Sequence, residues 1–162
     1  MACLCEDQSQ SLHPSPGLVS SDESLIRLAF RPEMIDGEGR LKNSAIPKAE
    51  LQRQVDGEAP NRGCSVFRDA HINPNDLKGE AARLCEGREQ RKSAWLFRCA
   101  TSDIRALLAS DGDRSLCVVD RAEPNNHAHA ELWGGRAGRS PAALKNIRDQ
   151  LISHLMPIDQ II

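Results

Sequence analysis

Four apolar residues, Leu144, Ile147, Leu151 and Leu155, recur at intervals of three and four near the end of this 162-residue chain, and that spacing draws the apolar face of an amphipathic helix. Ser140 stands where an N-cap belongs and Pro141 at the first helical position, so the start of the helix is marked as well. Such a helix needs a surface to cover. The rest of the chain offers short apolar runs of strand length bounded by turn formers: "ESLIRLAF" (23–30), "GCSVFRD" (63–69), "SAWLFRCA" (93–100) and "SLCVVD" (115–120). A fifth strand is expected in "EPNNHAHAELWGG" (123–135). Between them the pattern predicts a helical turn within 47–54, a mostly exposed helix over 76–91, and a short helix through "IRALLA" capped by Thr101-Ser102-Asp103. Strands separated by one or two helices, without regular βαβ alternation, predict an α+β fold: a small, mostly antiparallel sheet packed by the C-terminal helix. Residues 22–162 are expected to form this single domain. Residues 1–21 mix Ser, Gln, Pro and acidic groups without periodicity, and they read as a flexible N-terminal tail.

Composition narrows the function classes. The balance of 21 basic against 23 acidic residues supplies no overall pull toward nucleic acid or anionic lipid, and 3% aromatics leave few rings on which bases could stack, so a nucleic-acid partner is not expected. The opening "MACLCEDQSQ" has neither the basic flank nor the apolar run of a secretion signal, and no window approaches the ~20 apolar residues of a membrane span. A cytoplasmic location, no membrane partner and reduced cysteines are the expectations. On that reading Cys3 and Cys5 are exposed thiols on the tail, while Cys99 and Cys117 are small core residues inside apolar runs. No phosphate loop, paired-cysteine zinc framework or nucleophile elbow occurs, and no cofactor is implied.

The chemistry-bearing residues gather in the fifth strand region. On a strand, His127, His129, Glu131 and Trp133 would share one face, left polar, with Ala128, Ala130 and Leu132 turned inward. Two histidines and a carboxylate are a known metal set, but residues i and i+4 on a strand lie about 13 Å apart, so Glu131 could join the histidines on one ion only through a bulge, with His71 or Asp120 as further donors. No metal is assigned. Arg27, Ser65 and Glu131 fall in an order shared with the Arg-Ser-Glu class of ADP-ribosyltransferases, a resemblance that implies arginine on a pyrophosphate, serine on the ribose and glutamate polarising the sugar. "GGRAGRS", with Arg136 and Arg139 ahead of the last helix, could cradle an anion through backbone amides.

Two further resemblances bear on function. The alternation His127-x-His129 running into Gly134-Gly135 resembles the histidine-triad nucleotide-binding family, which implies His129 as nucleophile on a nucleotide α-phosphate, with Glu131 standing where the family has its third histidine. Over about residues 23–153 the order of "SLIRLAFRPEMIDGEGRLKNSAI", "GCSVFRD" and "EPNNHAHAELWG" resembles a group of small uncharacterised bacterial proteins with an Asn-Pro-x-His-Ala motif. That resemblance retains Asn126, His129 and Ala130, replaces the motif's proline by His127, and makes Asn126 with His129 a local hydrogen-bonding unit. The expected function is a non-enzymatic protein-binding or accessory module with a protein partner, whose binding residues are Asn126, His129, Glu131 and Arg136. The alternative is a histidine-triad-like nucleotide hydrolase or nucleotidyltransferase, with a nucleotide as ligand and His129 as its catalytic residue.

Overall fold

The structure, a computed structural model, describes residues 3–162. Six strands form one antiparallel sheet: β1 (Ser24–Pro32), β2 (Cys64–Arg68), β3 (Arg91–Ala100), β4 (Leu116–Asp120), β5 (His129–Gly134) and β6 (Met156–Gln160), in the order β4-β5-β2-β1-β3-β6. The helices are α1 (Lys48–Leu51), α2 (Pro74–Cys85), α3 (Thr101–Ala106) and α4 (Pro141–His154). This is the α+β class with a small antiparallel sheet that the apolar runs imply. No helix among the described residues is long and apolar enough to cross a membrane.

α4 starts as its sequence dictates. The Ser140 side chain accepts a hydrogen bond from the Ala143 N–H at 3.2 Å, Pro141 occupies the first turn, and Leu144, Ile147, Leu151 and Leu155 are all buried in the main core. Full burial of such a side chain is worth about 1.5–3 kcal/mol, so the stripe outweighs the middling helix propensity of the segment. α2 is shorter than its charge pattern suggests: Asn73 caps it by accepting from the Asp76 N–H at 2.9 Å, and it stops at Cys85, before Gly87 turns the chain at φ +70. Thr101 does not cap α3. It lies inside the helix, fully buried, with Ala100 in the capping position and no side-chain bond there. The C-terminal apolar tail becomes β6, an edge strand on β3 that leaves Met156 and Ile158 exposed.

Strand alternation divides the buried residues of β4 and β5 between two clusters. Leu116, Val118, Ala130 and Leu132 enter the main core with α4, whereas Cys117, Val119 and Trp133 form a second cluster with Cys3 and Cys5. The face expected to be polar is therefore covered, and the cover is the N-terminal segment. Cys3 is bonded to Cys117 in a disulfide, and both Cys3 and Cys5 are buried. This corrects the readings of exposed thiols on the tail and of a free, reduced Cys117.

Further contacts hold residues 6–18 in place, where a flexible tail was expected. Glu6 pairs with Arg105 at 3.2 Å and Arg114 at 2.5 Å, and accepts the Val118 N–H at 2.5 Å. Ser9 and Ser15 both donate to Asp120, at 2.5 and 2.6 Å. Arg68, also buried, donates to the carbonyls of Gly17 and Leu18 and pairs with Glu23 at 2.8 Å.

Burial alone would raise the Glu23 carboxyl, but the hydrogen bond from Arg68, the Ser20 amide and the nearby Arg68 and His71 charges together hold it below the usual carboxylate range. A folded-state value below the unfolded one stabilises the protein above the ordinary range and loses that contribution as pH falls through the lowered value. The expected result is a urea midpoint that declines below about pH 4.5, with a smaller decline in Glu23→Gln. An identical acid limb in the variant would show that Glu23 does not contribute.

Candidate functional site

β1 pairs with β2 only at Leu25 and Ile26, and where the strands part a cleft of about 230 Å³ opens between them. Arg27 is the first residue past the pairing. Its guanidinium replaces the missing strand partner by donating to the Ser65 carbonyl at 2.7 Å, then reaches the Ala45 carbonyl at 2.8 Å and Glu50 Oε2 at 3.3 Å. Arg27 and Glu50 are each about nine-tenths buried, and both line the cleft. The Nε–H of Arg27 is buried and has no hydrogen-bond partner among the described residues.

Ser65 on β2 and His129 on β5 meet at the same place. Phe67 and His129 are register partners, so Ser65, two residues along, lies on the same side of the sheet as the imidazole. Nδ1 of His129 lies 2.7 Å from the Arg121 carbonyl, which can only accept, so Nδ1 carries the proton. In the neutral ring Nε2 is then an acceptor, and it receives the Ser65 hydroxyl at 3.1 Å. The Phe67 ring sits edge-on to the imidazole, with centroids 6.3 Å apart, and His129 is 5% exposed. A hydroxyl held by an imidazole whose other nitrogen is fixed by a third group is the arrangement that activates serine as a nucleophile. Around the mouth stand Arg83, Arg88 and Arg91 with Glu80 and Glu123, so the rim carries both charges.

The other residues singled out in the sequence lie around this pair without joining it. β5 begins at His129 because Glu123 and Asn126 exchange backbone hydrogen bonds at 3.0 and 3.1 Å and close a turn; His127 is exposed in the next turn, off the strand. Asn126 bears on His129 through its main chain, its carbonyl accepting the His129 N–H at 3.2 Å. Glu131 stands opposite Ser65 in register, yet its carboxylate packs against Gly63, pairs with Arg121 at 3.5 Å and lines a neighbouring hollow with His13 and Glu123. Arg136 is beyond the far end of β5, paired with Asp113 at 3.1 Å. Arg139 pairs with Asp111 and donates to the Ser115 and Arg114 carbonyls, which commits that loop to internal contacts. The supplementary metal donors are dispersed too: His71 pairs with Glu23, and Asp120 is buried against Arg68. Among the described residues no three His, Cys, Asp or Glu side chains are grouped to hold a metal ion.

Glu50 is the cleft residue that sequence reasoning missed. It lies in a four-residue helix inside a long connection, and nothing in its local pattern marks it as buried or paired with Arg27. Comparison of the chain with known protein families, with curated proteins and with solved structures found no match.

Proposed function

We propose that the protein is a nucleotide-directed enzyme, a hydrolase or nucleotidyltransferase, which seats a phosphate of its substrate between Arg27, Ser65 and His129. The observation that carries this reading is the Ser65 hydroxyl held by His129 Nε2 in the lining of a cleft to which the buried Arg27 also contributes. At about 230 Å³ the cleft is smaller than the ~300–1,000 Å³ of most small-molecule sites, which suits a phosphate and its ester sugar better than a whole dinucleotide. His129 keeps its central place but changes role. With Nε2 engaged by Ser65, it serves as the base: the Ser65 oxygen attacks phosphorus as its proton passes to Nε2, the bond to the leaving oxygen or phosphoramidate nitrogen breaks as Nε2 hands that proton to it, and water or an acceptor hydroxyl then displaces Ser65 from phosphorus.

The test is turnover of a dinucleotide or nucleotide phosphoramidate followed by phosphorus NMR, beside calorimetric titration with AMP and inorganic phosphate. Ser65→Ala is expected to lower turnover by about 10²–10⁴-fold with little change in melting temperature, and His129→Gln by a similar factor. Turnover surviving in Ser65→Ala but lost in His129→Gln would make His129 the nucleophile. No turnover by the wild type, together with no binding at about 1 mM ligand, would discard the enzyme reading.

A protein-binding or accessory role is the second reading, and a separate place favours it. β6 presents a free strand edge with Met156 and Ile158 exposed, a site at which a partner strand can add. Ile158→Lys should then abolish capture of a defined partner while leaving turnover at the cleft unaltered.

A further inference from the structure

We propose that Cys3 and Cys117 form a thiol–disulfide exchange site for a dithiol reductant, and that their reduction releases the N-terminal segment from the sheet. The inference is independent of any nucleotide in the Arg27 cleft.

Four observations converge on it. First, the disulfide joins residues 114 apart, linking the N-terminal segment to the beginning of β4. Second, the bond lies outside the main core, in a cluster that includes Cys5, Val119 and Trp133, and two of that cluster's five members belong to the segment itself. Third, Cys3 lines a second cleft, of about 300 Å³, together with Leu4, Cys5, Arg53 and Arg114, whereas Cys117 is fully buried. Cys3 is 5% exposed and lines that cleft while Cys117 does not, so a reductant's approach is from the Cys3 side. Fourth, apart from the packing of Cys5 in that cluster, the segment's other attachments are polar: Glu6 on two arginines, Ser9 and Ser15 on Asp120, and the Arg53 guanidinium donating to Cys5 Sγ at 3.0 Å. Cys64 and Cys99 stand in contrast. Burial pushes each of their thiols up to about 12, and both sit in the main core, so they stay protonated and take no part.

The exchange balances without a further oxidant. One thiolate of the dithiol attacks Cys3 Sγ, the Cys3–Cys117 bond breaks, and Cys117 leaves as a thiolate that takes up a proton. The second thiol of the reductant then attacks its own sulfur in the mixed disulfide and displaces Cys3. Both cysteines end reduced, and the dithiol ends as a disulfide. With the tie cut, Trp133 and Val119 lose their cover. The end of β4 and the two residues after it also lose Gln10 and Ser11, which now bond to the Asp120 carbonyl and the Ala122 amide. That stretch carries the Arg121 carbonyl that orients His129, so the redox state of the pair extends to the Ser65–His129 contact.

The experiment treats the oxidised full chain with dithiothreitol under native conditions. Differential alkylation with mass spectrometry reads the cysteines, acrylamide quenching reads Trp133, and chymotrypsin reads the bond after Leu12. The expected result is labelling of Cys3 and Cys117 while the main thermal transition persists, increased tryptophan quenching, and cleavage after Leu12 accelerated by about tenfold or more. Cys117→Ser should show the open behaviour without reductant; if that variant does not fold, the dithiothreitol titration of the wild type still decides. A bond that yields only when the whole protein unfolds would overturn the proposal. So would a reduced protein whose quenching and cleavage match those of the oxidised one.

Discussion

Replacement of Arg68 by methionine is expected to lower stability by about 3–5 kcal/mol, a large share of the roughly 5–15 kcal/mol that holds a domain together. Methionine keeps much of the volume, so the loss isolates the charge. Arg68 is 2% exposed and serves two carboxylates, Glu23 through paired contacts at 2.8 Å and Asp120 at 3.5 Å, besides the Gly17 and Leu18 carbonyls. Asp120 has no exposed side-chain surface and would keep only Ser9 and Ser15 as donors. Removing one member of such a group leaves the others as uncompensated buried charges, which is where the cost arises. Urea denaturation of Arg68→Met, Asp120→Asn and the double variant measures it. Coupling predicts that the double variant loses less than the sum of the two singles. A loss under about 1 kcal/mol in Arg68→Met would mean that water compensates the carboxylates.

Gly135→Ala is expected to cost about 3 kcal/mol, at the upper end for an overpacked site. A Cβ at residue 135 would overlap the Arg114 carbonyl, and the atom it meets is main chain, which cannot rotate away. Relief requires the β5 end to move off the segment before β4, at the expense of the Gly135 N–H bond to the Ser115 carbonyl at 3.0 Å. Gly134 is under the same constraint, from the Leu51 carbonyl. Gly79 supplies the control. It lies in α2 with open space around it, so Gly79→Ala should stabilise by about 0.5–1 kcal/mol through helix propensity alone. Thermal melts of the two variants should move in opposite directions, and a shared direction would contradict the packing argument.

Much of the sheet was legible because its strands announce themselves by apolar content: five of the six fall within the runs recognised in the sequence or overlap them closely. β6 did not announce itself. "MPIDQ" contains a proline, has little alternation and owes its pairing to β3. The N-terminal segment was illegible for a different reason. Its attachments are a disulfide across 114 residues and side-chain bonds from Ser and Glu to partners about a hundred residues away, none of which leaves a periodic trace. At the candidate site, Arg27, Ser65 and His129 were each singled out, but under different readings. Nothing in the sequence joins residue 65 to residue 129; β2–β5 pairing does. Glu131 was legible as a carboxylate in the right strand, yet the carboxylate beside Arg27 comes from Glu50.

The strand order also governs how the chain can acquire its shape. β2 lies between β1 and β5, so the inner part of the sheet waits for residues made some sixty positions later. On a ribosome, β1 and β3 can pair early, while the β2 edge that later receives β5 stays open until residues 129–134 have emerged. Pairings this distant in sequence place folding toward the millisecond-to-second range rather than the microsecond range of helical bundles. During that interval the nascent chain exposes an unpaired apolar strand edge, the kind of surface on which incomplete chains aggregate.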